Sequence, residues 1–401
     1  MKQCRIWITY YLYLYIVPEH IWKDYATAPG SVEFENVEMI GTGPFKMAEY
    51  SQNQFVRLVA NKEHFQNPPK IDEVVFQTYE SQDVLVQSLK SGQTDMITEM
   101  PATAVETLIS ESTIEVVTGA PFAPSVSDII FNLADPENCP TDDGGLCTGH
   151  PALRDRDVRL ALAHATDKQQ LIDIVLLGFG SPGLTLIPDG LGPWYNNTII
   201  DFEFDVAKAN SILDDAGYLD TDNDGVREMP DGSLPLTFRM HWPSDSIDGP
   251  RQAELLSQMW GLVGVTLELQ AIDPDALTAE CCPAFDYDII LWGWGSDPDP
   301  NLLLSVYTTE QIPNGYNETG YSNPEVDELN TQQSRELDSQ KRQEIVWQIQ
   351  EITFNDVVYI IPYYEQSIQA YRTDRFTGWI TDRAKVELSD ISSLIVIEPV
   401  K

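Results

Sequence analysis

Trp292, Trp294, Asp297 and Asp299 stand close together in the segment WGWGSDPDP. Two indoles, two glycines and rigid prolines make an aromatic-walled, preorganised loop. An aspartate there can hold a cationic group through charge-assisted hydrogen bonds. An indole face can cover apolar ligand parts or a cation. The same residues suit a plainer role, with the indoles in a core and the aspartates capping a helix that starts near Asn301. A second constellation is more specific in its spacing. Asp220, Asp222 and Asp224 followed by Gly225 reproduce the first half of a calcium loop. The Val226 carbonyl, Glu228 and Asp231 fall where its remaining ligands would stand. Aspartate in the last place is shorter than the usual glutamate, and a strand is expected to follow instead of a helix. The expectation is therefore a structural Ca2+ loop of modest affinity, with a solvated acidic turn as the alternative.

Catalytic patterns do not emerge. The chain has no G-x-S-x-G elbow, no H-E-x-x-H and no P-loop. Residues 178–183 match G-x-G-x-x-G, but they follow a helix, and Pro182 would break any helix opening there, so a loop is expected. The five histidines, His20, His64, His150, His164 and His241, are scattered, which argues against a histidine metal site. Carboxylate pairs carry little weight in so acidic a chain. A secreted acidic hydrolase is thus a remote alternative with no positive support.

The elements that must position these residues alternate in type. Strands are expected at 55–60 and 74–79. A helix is expected at 82–90, stopped by Gly92. A short extended piece begins at Met96. One long helix is expected from Asp157 to Leu177, on the apolar stripe Val158, Leu162, Ala165, Ile172, Val175 and Leu176. Asp205 is placed to cap a helix over 206–216 that Gly217 ends. Strands at 234–240 and 265–270 flank a helix at 252–262. A buried strand at 288–292 leads into the tryptophan loop. Helices near 324–337 and 339–354 precede an apolar strand at 357–362. This alternation predicts an α/β fold, and 401 residues are too many for one compact core.

Composition narrows the setting. With 24 basic and 63 acidic residues, the net charge is −39. Such a surface repels nucleic acid and anionic membranes, so no nucleic-acid partner is expected. Cys139 and Cys147 bracket a short polar stretch, where a disulfide would suit an export compartment and two free thiols are the alternative. Cys281 and Cys282 are adjacent and could form a vicinal pair or stay free. No apolar run reaches the ~18 residues that span a membrane. Residues 6–17 resemble a signal peptide superficially, but they are rich in tyrosine and no small-residue cleavage site follows, so they are expected to be folded.

Several short motifs appear in a shared order: 18–22 (PEHIW), 40–45 (IGTGPF), 61–65 (NKEHF) with 69–74 (PKIDEV), 89–95 (LKSGQTD), 158–163 (VRLALA) with Asp167, the helix 205–218, and 320–323 (GYSN). Together they resemble the family 5 extracellular solute-binding proteins of dipeptide and oligopeptide ABC importers. The resemblance implies a bilobal α/β fold, periplasmic-binding-protein-like with an extra subdomain, that closes on its ligand by hinge motion. Residues 1–125 would be part of lobe one, 126–365 lobe two, and 366–401 a return to lobe one. The family carries a long stretch before the PEHIW element, so this chain is expected to lack the start of lobe one and the inserted subdomain. Cys4 does not look like a lipid-anchor cysteine.

The resemblance also implies roles. Asp297, three residues after Trp294, would take a peptide's α-ammonium, and Pro298 departs from some members. Arg251 falls near an arginine that takes the ligand carboxylate in some dipeptide binders, and its alternative is a surface arginine at a helix start. Asn132 and Trp292 are further pocket candidates. The implied partners are a peptide or other small solute and the membrane permease subunits, met by a monomer outside the cytoplasmic membrane. A sugar, an opine or a metal complex is the alternative ligand class on the same fold. No cofactor is required.

Overall fold

The computed structural model describes residues 17–23, 25, 39–98, 100–313, 315–382 and 385–400. Residues 6–16 of the tyrosine-rich segment lie outside them. The chain divides into two units. One runs Ala123–Glu365, and the other takes the described residues before and after it.

In the second unit a short helix α1 (Glu19–Trp22) precedes the three-stranded antiparallel sheet of β1 (Phe45–Ser51), β2 (Phe55–Ala60) and β3 (Glu73–Gln77). Helix α2 (Gln82–Ser91) follows. Ser81 caps it by accepting from the Val84 N–H, and Gly92 ends it at φ +77°, a left-handed conformation that glycine adopts without penalty. Next come β4 (Met96–Ile97), α3 (Val105–Ile109) and β5 (Ile114–Gly119).

The Ala123–Glu365 unit carries the larger cores. It contains β6 (Ser125–Phe131), α4 (Arg156–His164), α5 (Lys168–Val175), β7 (Gly180–Pro182), α6 (Val206–Asp215), β8 (Thr237–Pro243) and α7 (Gly249–Gly261). It continues through β9 (Thr266–Ile272), α8 (Pro274–Cys281), β10 (Ile289–Gly295), α9 (Asn301–Ser305), α10 (Pro324–Arg335) and α11 (Ser339–Asn355). It ends with β11 (Tyr359–Ile360) and β12 (Tyr363–Glu365). Afterwards β13 (Ser367–Arg372) lies between β4 and β5.

A five-stranded sheet in the order β11-β6-β10-β8-β9 organises this unit. Strands β8, β9 and β10 run parallel, while β6 is antiparallel to β10. Side chains alternate across the sheet. Ile129, Phe131, Ile289 and Leu291 enter a core shared with α4, α5 and α7. Val126, Ile130, Ile290, Trp292 and Trp294 face a second core with α9 to α11.

The expected long helix is in fact two, α4 and α5, broken over Ala165–Asp167. Thr166 Oγ1 donates back to the Leu162 carbonyl and accepts from Trp260 Nε1. Asp167 accepts from the Gln170 N–H and caps α5. Side chains that offer backbone groups these local partners compete with helix continuation. The tryptophan segment differs too. Trp292 and Trp294 belong to β10 itself, which runs on to Gly295. The 178–183 segment supplies β7, which pairs with β12. Cys139 and Cys147 are bonded, with Cα atoms 5.9 Å apart, and Cys281 is bonded to Cys282.

Asn132, expected in a ligand pocket, does structural work instead. It is 1% exposed. Its Nδ2 donates to the carbonyls of Phe285 (2.8 Å) and Tyr287 (2.7 Å), and its Oδ1 accepts from the Ala134 N–H. The amide joins the end of β6 to the lead-in of β10, and both of its donors are used within the fold. Asn132→Ala should cost about 1–3 kcal/mol, because two buried carbonyls lose donors. A lower urea midpoint at constant slope would register this loss, and an unchanged midpoint would refute the role.

Candidate functional site

Strands β8 and β10 end side by side, and β6 begins beside them. In open α/β sheets, ligands bind beyond the carboxyl ends of parallel strands. A cavity of about 310 Å³ lies there, within the Ala123–Glu365 unit. Trp292 and Trp294 line it from β10, Ser125 and Ser127 from β6, and Tyr363 and Glu365 from β12. The loop after β8 and the first turns of α7 add Ser246, Asp248 and Gln252. A second recess, about 820 Å³, lies in the other unit beside the edge strand β3. The first is the better candidate, because it stands beyond the carboxyl ends of the parallel strands β8 and β10.

Gly293 makes the β10 wall possible. A Cβ there would sit 2.5 Å from the Val126 carbonyl oxygen, so only glycine allows β6 to pass that close. With Gly293 between them, Trp292 and Trp294 project to one face two residues apart. Trp294 Nε1 donates to Glu318 Oε1 at 2.7 Å. Tyr359 donates to the same oxygen, and the Tyr287 hydroxyl donates to the Glu318 carbonyl. Glu318 is buried, and its burial pushes its pKa up to about 7.

Asp128 lies opposite Trp292 in the ladder and is fully buried. Among the described residues neither of its oxygens has a hydrogen-bond partner. Burial first, then the Glu318 charge, raises its pKa well above the carboxylate range. A protonated acid avoids the large cost of an unpaired buried charge.

Asp248 is the cap residue of α7, yet its side chain accepts no bond from that helix. Burial raises its pKa. Glu365, at the end of β12, lines the cavity and is exposed. Its pKa is raised by burial and then by the Asp248 charge. Among the described residues no cation forms a salt bridge with either carboxylate. Gln252 is 3% exposed. Its Oε1 accepts from the Tyr363 hydroxyl at 3.1 Å, while its Nε2 has no partner.

The residues singled out from sequence are therefore only partly assembled. Trp292 and Trp294 line the cavity. Asp297 is half-buried two residues beyond its wall. Arg251 is exposed on α7 and does not line the cavity. Successive helix residues point about 100° apart, so the turn that carries Asp248 and Gln252 into the cavity carries Arg251 away. Asp299 has a structural role. It accepts from both terminal guanidinium nitrogens of Arg342, at 2.6 and 2.7 Å, and from the Asn301 N–H at the start of α9. Sequence reasoning missed Asp248, Gln252, Tyr363 and Glu365. None of them was a site candidate in the sequence, because no local pattern joins residues so far apart in the chain.

At the acidic loop, Asp220, Asp222, Asp224 and Glu228 bring ligand oxygens within 4.8 Å of one another. Gly225 donates to Asp220, and Thr221 donates twice to Glu228. The Val226 N–H donates to Asp224. Asp231, expected as the last ligand, stands apart from this group and accepts from the Ser233 N–H at a turn. Glu228 bridges to Pro235 in an antiparallel turn, where a calcium loop's exiting helix would return the twelfth position. An all-oxygen set of this kind fits a hard divalent cation.

Comparison with known proteins places the chain. Residues 7–314 match the profile of "Bacterial extracellular solute-binding proteins, family 5 Middle". The chain belongs to this family. Family 5 proteins serve ABC transporters, are periplasmic or extracellular, and are not enzymes. The oligopeptide-binding protein AppA of Bacillus subtilis is 26% identical over 319 residues, which cover 78% of this chain and 54% of AppA. A dipeptide-binding protein of Pseudomonas aeruginosa is 27% identical over 323 residues, covering 79% and 54%. The chain thus spans about half the length of the curated relatives it matches. A periplasmic oligopeptide-binding protein from Thermotoga maritima shares the fold, with a TM-score of 0.79 and 21% identity, covering 96% of this chain and 74% of that one.

The buried carboxyls generate a pH prediction. Glu318 keeps its proton in the fold up to about pH 7, whereas the unfolded chain releases it near pH 4. Stability from this group is therefore present at low pH and lost as pH rises through that window. Glu318→Gln keeps an acceptor for Trp294 and Tyr359 and removes the titration. Its melting temperature relative to the unsubstituted protein should rise between pH 5 and about pH 7 and then level off, in buffers matched for salt. A pH-independent difference would refute the shift.

Proposed function

We propose that this chain is the ligand-capturing part of an importer's solute-binding protein, that its ligand is a peptide, and that it works as a monomer delivering the ligand to permease subunits. The observation that carries the reading is the cavity at the carboxyl ends of β8 and β10, where two indoles, serine hydroxyls and unpaired carboxylates converge. The named activities of AppA and the Pseudomonas protein support the peptide class. Indole walls accept varied apolar groups, and hydrogen bonds to an extended backbone supply affinity with little side-chain selectivity.

Asp297 is the proposed acceptor for the peptide's α-ammonium. A pool of di- to hexapeptides should raise the melting temperature of the chain. Asp297→Asn should weaken free-amino peptides about tenfold or more while changing N-acetylated ones little. A cooperative melt that no peptide shifts would overturn the peptide reading. Equal losses for both peptide types would overturn the role of Asp297.

We also propose that Asp220, Asp222, Asp224 and Glu228 hold a structural Ca2+. The bound ion would neutralise part of a crowded acidic turn and fix its approach to α6. Added Ca2+ should raise the melting temperature after chelation, and Asp222→Asn with Asp224→Asn should abolish that rise. A melt indifferent to Ca2+ would overturn this assignment.

A further inference from the structure

We propose that the Asp248–Glu365 side of the cavity is a subsite for a basic side chain, the ammonium of lysine or the guanidinium of arginine, so that the protein prefers cationic peptides. This rests on the peptide reading above and deepens it.

Four observations converge. The first is the pair of carboxylates. Asp248 and Glu365 face the same cavity from different elements, α7 and β12, and no cation among the described residues forms a salt bridge with either. Other well-placed acids in this unit do have such partners. Asp201 holds Lys168 at 2.7 Å, Asp214 holds Arg227 at 2.6 Å, and Asp299 holds Arg342 at 2.6 Å. The second is the missing cap. An aspartate at a helix start ordinarily accepts an N–H from the first turn, but Asp248 leaves those groups and lines the cavity. The third is Gln252. It lines the cavity, is almost wholly buried, and has an Nε2 donor with no partner. A buried donor left unpaired costs about 1–3 kcal/mol, and a ligand carbonyl beside the cation would satisfy it. The fourth is the opposite wall. Trp292 and Trp294 offer flat apolar faces on which the methylene stem of a lysine or arginine can lie, and a cation near an indole gains further attraction.

The electrostatics agree. Burial raises the pKa of both carboxyls, and the Asp248 charge raises Glu365 further, so a bound cation would relieve the repulsion between them. The net charge of −39 also draws cations toward the surface. This subsite is separate from Asp297, which does not line the cavity. The α-ammonium and the basic side chain would therefore be held by different carboxylates.

The test compares tripeptides Ala-Lys-Ala and Ala-norleucine-Ala, each with a free and an acetylated amino terminus, by calorimetry on the full chain. Norleucine keeps the stem and removes the charge. The unsubstituted protein should bind the lysine peptide about tenfold more tightly or better, the scale of one charge-assisted hydrogen bond. In the Asp248→Asn/Glu365→Gln double variant, that ratio should fall to about one. A cooperative melt of the variant confirms that it folds. Acetylation should leave the lysine-to-norleucine ratio intact, because the charge read here is the side chain's. The inference is overturned if the ratio is near one in the unsubstituted protein, if it survives the double substitution, or if acetylation alone removes it, which would assign the carboxylates to the α-ammonium. If peptides bind without regard to lysine, only this inference falls. If neither peptide binds, the peptide reading falls with it.

Discussion

The antiparallel pairing of β6 with β10 runs over seven residue pairs, from Ile289 opposite Phe131 to Gly295 opposite Ser125. Everything else near the cavity hangs on this ladder. It places two central strands with one face in each of two cores. It brings Trp292 and Trp294 to the same side as Asp128, and it ends where the cavity opens. The ladder can close this tightly only because residue 293 has no Cβ to strike the Val126 carbonyl. Asn132 then ties the far end of β6 to the segment that feeds β10.

Acidic groups in this unit have three distinct fates, which follow from their surroundings rather than from their type. Asp299 is paired with a guanidinium and anchors α9 against α11. Asp128 and Glu318 are buried and raised in pKa. Trp294 and two tyrosines bond to Glu318, while Asp128 is left without hydrogen-bond partners. Asp248 and Glu365 have neither fate. Asp248 is half-buried and Glu365 exposed, both lack a salt-bridge partner among the described residues, and both line the cavity. A carboxylate in that condition has interaction capacity to offer a ligand, and this separates a binding wall from a structural ion pair in a chain with 63 acidic residues.

The tryptophan segment shows how a pocket wall and a core element can be one object. Trp292 and Trp294 lie within a strand, pack against the second core, and also line the cavity. The hydrogen bond from Trp294 to Glu318 holds the indole in one orientation. A rigid wall of this kind loses little freedom when a ligand arrives, which is how preorganisation improves affinity.

Local rules in the sequence determined much of the architecture. Period and capping residues placed α2 with its Gly92 stop, α6 with its Asp205 cap, and the later pair α10 and α11 within a few residues. These signals are short-range, because caps and turns depend on neighbours along the chain. The family was legible from motif order, and the convergence of three aspartates and Glu228 was legible from spacing within one loop. Tertiary structure alone decided the rest. Thr166 broke a helix that periodicity continued, because Trp260, 94 residues away, donates to its hydroxyl. Asn132 became a tie and not a ligand group, because its partners, Phe285 and Tyr287, lie more than 150 residues on. The cavity draws on β6, β10, α7 and β12, which no local pattern joins. Asp248 and Glu365 are 117 residues apart in the chain, and only the folded sheet makes them neighbours of one site.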